Sequence, residues 1–481
     1  MGAEEDISSP ASVTVVIDGR SVLLSDDFFR RHPGGLLPRL YQGLDASGAF
    51  RAYHGDSSKA RHWLQALQQA QTVESGHEEV KPADAAIESN LNQDPNGLVN
   101  VDMSAERSRR IKANFEASVW KLDANIGKGL LVGFGRGLCT EVESMGLLQL
   151  QHWDCVRTLV ELALQLALVF WLQFHGFWIA SILPLAYLDL QIGYFGHDLM
   201  HNAAIRNAEV RDALGLFLWN FCLGISADSW RTLHNRHHLS TNVLGKDTDV
   251  EGGFPVVVYA PEQLHRTDFL KRFSRWRLRM LTHLPSYFLL ALLLVRFHYM
   301  MDAFDLLFGS GRKQGKYMQS TRVLSKRNEA IATALHYLML LESHVYTRLL
   351  FLASIYTLPG ALLAYITALN HNNMDNFTDE SGILNNFAAL NLLTSNNLPS
   401  DAWTTWWTGG LNFQVEHHLF PRMPRCNLKR VAPLVRAFAH DNGLPYSQTG
   451  VAEGHVKLMR RLTVVAEAAS RLLESTDKKI D

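Results

Sequence analysis

The sequence predicts a mainly α-helical integral membrane protein with a small α+β domain at its N-terminus. Apolar stretches occupy residues 156–196 and 331–369, and a membrane-spanning helix needs roughly 20 such residues. Three clusters of closely spaced histidines lie after or between these stretches. Residues 12–70 instead have the strand-and-turn pattern of a soluble domain. We therefore expect about four transmembrane helices in two hairpins, with a helical metal-binding cap on the cytosolic side.

Length and composition limit the classes of protein. The 481 residues exceed one ordinary domain, and the formal net charge of -1 gives no reason to expect a nucleic-acid partner. The four cysteines lack CxxC spacing, so neither a disulfide framework nor a zinc ribbon is indicated. We divide the chain into a small domain at 12–70, a linker at 71–116, a membrane domain at 117–450 and a helical tail at 451–481.

The small domain begins with a strand at residues 13–17 and an Asp18-Gly19 turn. His32-Pro33-Gly34-Gly35 follows, and His54 comes after a further short helix. Proline and glycine would let this loop approach a large planar cofactor, and His32 and His54 could ligate a haem iron from opposite faces. The pattern resembles cytochrome b5. The resemblance implies haem b with both axial positions taken, which carries electrons and does not bind oxygen.

The linker at residues 71–116 is rich in Glu, Asp, Asn, Gln and Ser. Such a composition favours a flexible segment over a packed core. We expect a tether that lets the haem domain swing to its partner.

The first apolar stretch predicts helices at 156–174 and 177–196, with His175-Gly176 as the turn. Asp189 is unusual in such a helix, because ionisable groups within a membrane usually face a cavity or a partner. It could support the metal ligands or form a hydrogen bond between helices; the sequence favours neither.

The second hairpin is predicted at 331–347 and 349–369. Residues 284–308 could form an interfacial or re-entrant segment. Alternatively, residues 284–300 could cross the membrane. Either choice puts an even number of crossings between the second and third histidine clusters. We therefore expect the histidine clusters and the N-terminus to share the cytosolic side.

The clusters themselves carry the chemistry. Residues at i and i+4, or at i+3 and i+4, project from one helix face, so each cluster can aim imidazoles at a common point. Seven imidazoles are too many for one tetrahedral zinc but suit two metals of larger coordination number. Imidazole accepts Fe, Cu, Zn or Ni, so the ligands alone do not identify the metal. The clusters are His197-Asp198-Leu199-Met200-His201, His234-Asn235-Arg236-His237-His238 and Gln414-Val415-Glu416-His417-His418.

The order HDxxH, HxxHH and QxxHH behind a cytochrome b5-like domain resembles the front-end fatty acyl desaturases. Residues 409–421, Gly-Gly-Leu-Asn-Phe-Gln-Val-Glu-His-His-Leu-Phe-Pro, are similar to that family's third histidine box. The resemblance implies two non-haem irons that activate O2 and remove two hydrogens from adjacent methylenes of an acyl chain. It implies no catalytic residues beyond the metal ligands, which are His197, His201, His234, His237, His238, His417 and His418, with His371 as an additional ligand.

Gln414 stands where many membrane desaturases have a histidine, and the resemblance implies that it ligates a metal weakly or positions a water. A histidine that binds a metal through one ring nitrogen is usually oriented by a hydrogen bond from its other ring nitrogen to a neighbouring acceptor. Asp198, Glu416 and Asn412 are candidates for that role. Asp247 and Asp249, which follow the second cluster, could equally be functional or form a plain loop.

The resemblance also implies the partners. The chain has no dinucleotide fingerprint, since Gly133-Phe134-Gly135-Arg136-Gly137 lacks the GxGxxG spacing. NADH would therefore be used by a separate cytochrome b5 reductase. The other partners would be a lipid acyl substrate and the bilayer, with the endoplasmic reticulum as the expected location.

Three alternatives remain open at this point. The same diiron site could hydroxylate a lipid, or it could desaturate a sphingolipid at the delta-8 position. A membrane metal carrier is a non-enzyme alternative, but it would place its ligands within the spans, and it leaves the haem domain unexplained.

Overall fold

The computed structural model describes residues 12–55, 57–74, 130, 133–251, 257–265, 275–308, 324–342 and 345–477. The described part is mostly helical, with one two-stranded sheet. Most of the predicted linker, residues 75–116, lies outside the described residues, and so do residues 309–323. Residues 71–74, which were assigned to the linker, continue a helix of the N-terminal domain.

The N-terminal domain pairs strands β1 (Ser12–Ile17) and β2 (Arg20–Ser25) in antiparallel register. The two strands are joined by a turn at Asp18-Gly19, as predicted. Both residues have positive φ, 53° and 75°, which suits the right-handed twist of a tight hairpin. Alternate side chains of β1 are buried under the helices. These are α1 (Asp26–Arg31), a 3₁₀ turn (Leu37–Tyr41), α2 (Ser47–His54) and α3 (Ser58–Glu74).

The first predicted hairpin corresponds to two long helices, of which the first, His152–Phe174, is long and apolar enough to cross a membrane. The two helices are joined by residues 175–181, where Gly176 has a φ of +79° directly after the His175 cap. The second helix begins at Ile182, five residues later than predicted. Many apolar side chains of the first long helix point away from the protein, with Leu164 66% and Phe174 88% exposed. Such a surface suits lipid rather than water. This part of the chain comprises a π-helical turn (Gly133–Cys139), α4 (Thr140–Ser144), α5 (His152–Phe174) and α6 (Ile182–Met200).

Between the hairpins the helices are short and bent. Ala208–Cys222 and Ala227–Ser240 meet at 103°, and Leu284–Leu292 meets Val295–Met301 at 58°. The elements are α7 (Ala208–Gly215) with its π-helical continuation (Leu216–Cys222), α8 (Ala227–Ser240), α9 (Thr248–Glu251), a 3₁₀ turn (Pro261–His265), α10 (Arg275–Leu281), α11 (Leu284–Leu292) and α12 (Val295–Phe308).

The second predicted hairpin corresponds to Lys326–Glu342 and the long helix Val345–Asn372. Within the described residues, His152–Phe174 and Val345–Asn372 are long and apolar enough to cross a membrane; the number rises to four if each bent pair is one span. The elements are α13 (Lys326–Glu342), α14 (Val345–Phe351), a π-helical turn (Leu352–Thr357), α15 (Leu358–Thr367) and a second π-helical turn (Ala368–Asn372).

The remaining helices cover one end of the membrane helices. The last of them was assigned to a C-terminal tail, but its buried face packs against α10 and α11 and belongs to the same apolar core. The elements are two 3₁₀ turns (Asp379–Ser381 and Ile383–Asn385), α16 (Phe387–Thr394), α17 (Ala402–Trp407), α18 (Gln414–Leu419), α19 (Arg425–Asp441) and α20 (Val451–Asp477).

The N-terminal domain packs directly on these cap helices. Its buried apolar side chains form one continuous core with those of α16, α18 and α19. The domain is therefore docked on the cap, while the linker that was expected to tether it lies largely outside the described residues.

Candidate metal centre

The first histidine pair lies at the C-terminal end of α6. His197 and His201 are one helical turn apart, and their ring centroids are separated by 4.6 Å. Gly196 leaves room for the neighbouring Trp219, because a Cβ at this position would lie 2.3 Å from the indole nitrogen. The pair is therefore held against the aromatic wall that the bent α7 region supplies.

The second cluster occupies α8, whose first turn is capped by the Ser226 side chain accepting from the Ser229 N–H. His234 and His238 face α6: the Nε2 atoms of His234 and His197 are 3.2 Å apart. His237 projects to another side, where its ring centroid lies 4.8 Å from that of His371. One helix thus supplies ligands in two directions.

The third cluster lies on the short helix α18. His417 faces the first pair, with its ring centroid 4.6 Å from that of His197. His418 stacks on His238 at 4.0 Å and lies 4.5 Å from His371. The chain enters this helix through Gly409, whose φ is +60° and whose Cβ would lie 2.2 Å from the Tyr194 ring. Only glycine fits this position.

All eight predicted histidines come together, in two groups of buried or half-buried rings. Within each group the candidate ligand nitrogens lie within 4.8 Å of one another, so each group can hold a metal ion. The first group is His197, His201, His234, His238 and His417; the second is His237, His371 and His418.

The chemistry of these nitrogens fits a metal. Both ring nitrogens of His201 and the Nε2 atoms of His417 and His418 are buried without a hydrogen-bond partner in the described part of the chain, although buried polar atoms are normally paired. Burial lowers the pKa of all three imidazoles well below the ordinary histidine value. They are therefore neutral at pH 7, the form that binds a metal.

The histidines of the second group are held by hydrogen bonds at their other ring nitrogen. Nδ1 of His237 lies 2.9 Å from Oδ1 of Asp247, and Nδ1 of His371 lies 2.9 Å from the Thr394 carbonyl oxygen. Nδ1 of His418 lies 3.1 Å from Oδ1 of Asn391. Each bond directs Nε2 toward the group's centre. This answers the open question on Asp247, whereas nothing in the sequence near the third cluster pointed to Asn391.

Of the three residues that were expected to orient an imidazole, one contacts a histidine ring and two bond elsewhere. Asp198 lies 3.4 Å from Nδ1 of His197 and also pairs with Arg425. The expectation for Glu416 and Asn412 was wrong. Glu416 accepts hydrogen bonds from Asn397 and Tyr446, and Asn412 donates to the Pro399 carbonyl. These two residues brace the loops around α18 instead of orienting an imidazole.

Gln414 lies beside the second group. Its Nε2 is 2.9 Å from Nε2 of His371, and its Oε1 accepts a hydrogen bond from Asn370. Its direct ligation of a metal stays a prediction.

A mostly apolar cavity of about 380 Å³ runs from these histidines along one face of α6. It reaches Asp189, which precedes His197 by about 12 Å along the helix at 1.5 Å per residue. There Arg296 of α12 donates to Asp189 across 3.1 Å, and both side chains are buried. Of the two roles left open for Asp189, the structure thus supports the one between helices.

His32 and His54 also come together, in the N-terminal domain. Their ring centroids are 5.8 Å apart, and two imidazoles that share one ion through bonds of about 2 Å have centroids about 6 Å apart. Gly34 gives the His32 ring its space, because a Cβ there would lie 2.9 Å from His32 Cε1. Burial lowers the pKa of His32 to about 4 and, with the charges of His32 and Arg422, the pKa of His54 to about 3. The pair fits the axial ligands of a haem.

Comparison with known proteins decides the family. Residues 163–450, which include all three histidine clusters and His371, match the model of the fatty acid desaturases. The chain belongs to the fatty acid desaturase family. This match covers more than half of the chain, and it begins within α5 and ends just before α20.

Individual relatives of this desaturase extend the similarity through the N-terminal domain. It is 29% identical to the Delta(6)-fatty-acid desaturase fat-3 of Caenorhabditis elegans, over 94% of this chain and 96% of the relative. It is 26% identical to the Delta(5) fatty acid desaturase fat-4 of the same organism, over 95% and 96%. An acyl-lipid (9-3)-desaturase of Physcomitrium patens is 28% identical over 64% of this chain and 57% of its own length. The predicted front-end branch is thereby confirmed.

Proposed function

We propose that this desaturase inserts a cis double bond into a polyunsaturated fatty acyl chain, between an existing double bond and the carboxyl end. The acyl chain is carried by coenzyme A or by a phospholipid. Two adjacent methylenes lose one hydrogen each, O2 accepts these together with two electrons and two protons, and two waters leave. The observation that carries the proposal is the pair of buried histidine groups at one end of an apolar cavity.

The two groups would hold two non-haem irons. When bound, the irons supply the O2-derived oxidant that an unactivated C–H bond requires and that no side chain can provide. The proposed ligands are His197, His201, His234, His238 and His417 for one iron and His237, His371 and His418 for the other, with Gln414 beside the second.

The surrounding residues keep the ligands in the metal-binding tautomer. Asp247 and the Thr394 carbonyl accept the Nδ1 protons of His237 and His371, and Asn391 accepts that of His418. The apolar cavity walls exclude water from the acyl chain, which limits side reactions of a strong oxidant.

The N-terminal domain would supply the electrons. We assign residues 12–70 as a cytochrome b5-like domain with haem b between His32 and His54, and a separate cytochrome b5 reductase would reduce it with NADH. A haem held there would carry one electron at a time, so two transfers would serve each O2. The domain packs against the cap that carries the third histidine cluster, which supports a topology with the domain and the histidines on the same side of the membrane. We propose that this is the cytosolic side of the endoplasmic reticulum membrane and that the chain crosses the membrane four times.

The test is expression in a yeast host that is fed single fatty acids, with products identified by mass spectrometry after derivatisation at the double bonds. The proposal expects one new cis double bond on the carboxyl side of an existing one, and no product from the His234→Ala variant. A hydroxylated chain as sole product would favour the hydroxylase, and a desaturated sphingoid base the delta-8 alternative. Metal transport without a lipid product would favour the carrier.

A further inference from the structure

Two tyrosines of the N-terminal domain contact the helix that carries the second histidine cluster. The Tyr53 hydroxyl lies 3.3 Å from Oδ1 of Asn235, and the Tyr41 hydroxyl donates to the Leu239 carbonyl across 3.2 Å. Asn235 follows His234 directly, and Leu239 follows His238. The domain therefore docks on α8 at the histidine cluster itself.

Arg422, which follows the third histidine cluster, also contacts the N-terminal domain. Arg422, four residues after His418, donates from Nη1 to the Tyr53 carbonyl oxygen across 3.0 Å. Its charge also acts on His54, the next residue. Asn235, within the second histidine cluster, and Arg422, just after the third, thus both contact Tyr53.

Close apolar packing fixes the domain in this position. A Cβ on Gly48 of α2 would lie 2.8 Å from Cβ of Phe387, the first residue of α16. Tyr41 is 2% exposed, and it belongs to the core shared by the two domains. An interface packed this tightly holds one relative orientation, as the interior of a domain does.

We propose that this contact is the junction through which electrons leave the N-terminal domain, with Tyr53, Asn235 and Arg422 as positioning residues. The inference rests on the proposed function, since it takes His54 as a haem ligand and His234 as an iron ligand. In each transfer a ferrous haem is oxidised to ferric and a ferric non-haem iron is reduced to ferrous. One hydrogen bond joins the two covalent segments, His54-Tyr53 and Asn235-His234.

The hydrogen bond between Tyr53 and Asn235 should affect the rate of electron transfer. Electron tunnelling weakens steeply with each gap through space, and a hydrogen bond couples two segments better than a van der Waals gap does. Removing the Tyr53 hydroxyl breaks its hydrogen bond to Asn235 while the aromatic ring stays in place. Removing the Arg422 cation takes away the hydrogen bond that holds the Tyr53 backbone in position.

The test measures electron transfer apart from turnover. Full-length protein in detergent, loaded with haem and iron, is reduced without oxygen and then mixed with O2 and an acyl substrate, and haem reoxidation is followed by absorbance. We expect Tyr53→Phe, Asn235→Ala and Arg422→Gln to slow reoxidation at least tenfold, with a smaller effect in Arg422→Lys. Haem content, the haem spectrum and the rate of haem reduction by a soluble reductase should not change.

Matched controls remove equivalent groups elsewhere. Tyr365→Phe removes a hydroxyl that contacts His455, and Arg436→Gln removes a cation that contacts Gln448; both should reoxidise like the wild type. A small redox mediator that delivers electrons directly should restore product formation in the interface variants. Because Tyr53 and Asn235 lie on opposite sides of one bond, failure of one variant to fold leaves the other informative.

Wild-type reoxidation rates in Tyr53→Phe and Asn235→Ala, with wild-type haem and iron contents, would overturn the junction while leaving the proposed function intact. A wild-type protein that binds no haem, or whose haem is not reoxidised with substrate present, would instead contradict the proposed function. Slow reoxidation that a mediator does not bypass would show damage to the metal site and would also count against the junction.

Discussion

The Asp247 carboxylate holds the His237 imidazole through a 2.9 Å contact at Nδ1, and neither side chain is exposed to solvent. The second oxygen of Asp247 accepts the Asn242 N–H across 2.7 Å, and the Asp249 N–H also donates to the carboxylate. Backbone N–H groups of the loop after α8 therefore hold the Asp247 carboxylate in place, and the carboxylate in turn orients the His237 ring. A carboxylate in this position raises the basicity of the histidine and sets its tautomer.

The first prediction follows from this contact. Asp247→Asn removes the charge while retaining the shape, and we expect the affinity for iron or the activity to fall about 10- to 100-fold. Iron content after stepwise chelation measures the affinity. Asp249→Asn is the control, because its carboxylate lies 3.7 Å from His237 Nδ1, beyond hydrogen-bond distance. Equal losses in both variants would contradict a specific role for Asp247.

The sequence predicts the local parts of this site well. Spacing within one helix puts His234 and His238 on one face, and the Asp18-Gly19 dipeptide defines its hairpin, because both depend only on neighbouring residues. The pairing of Asn391 with His418 and of Asp189 with Arg296 depends on how distant helices pack. No local pattern encodes such contacts.

The same reason accounts for the expectations that failed. Glu416 lies beside His417 in sequence, but the helix turns its carboxylate toward Asn397 and Tyr446. The docked position of the N-terminal domain was not predicted either, because composition says nothing about the surface on which that domain packs. The division of eight histidines into groups of five and three likewise required the fold.

The buried ion pair between Asp189 and Arg296 gives the second prediction. Breaking it with Asp189→Leu or Arg296→Met alone leaves one uncompensated buried charge, which costs roughly 3–5 kcal/mol. The double variant should recover most of that loss, because an apolar pair of similar volume fits the same wall. Thermal unfolding in detergent measures the effect.

The control for the ion pair is the exposed pair of Glu453 and Lys457 on α20, whose nitrogen and oxygen are 2.8 Å apart. Glu453→Gln should change stability by less than about 1 kcal/mol, since exposed pairs contribute little. A double variant of Asp189 and Arg296 that is less stable than either single variant would show that the charges themselves are needed.

The third prediction concerns pH. The pKa values of His32 and His54 are about 4 and about 3 in the folded protein, below the ordinary 6.5, because burial disfavours the charged form. The unfolded chain therefore binds more protons than the folded protein from about pH 6.5 down to about pH 3, and stability must fall as the pH decreases through that window. Haem-depleted full-length protein should show this slope in the thermal midpoint of its N-terminal domain.

Replacing both histidines by glutamine provides the control for the pH prediction. Glutamine is similar in size and does not titrate, so the double variant should lose that part of the slope. An unchanged slope in the double variant would assign the acid sensitivity to other groups.

Iron content tests whether the eight histidines hold two irons. The protein, purified in detergent after expression with ample iron, should contain about two non-haem irons and one haem per chain. His201→Ala should lower the iron content of the first group of histidines, and His371→Ala should lower that of the second. Both variants should retain the haem. Stoichiometric zinc with no non-haem iron, reproduced under the same iron supply, would contradict the diiron desaturase.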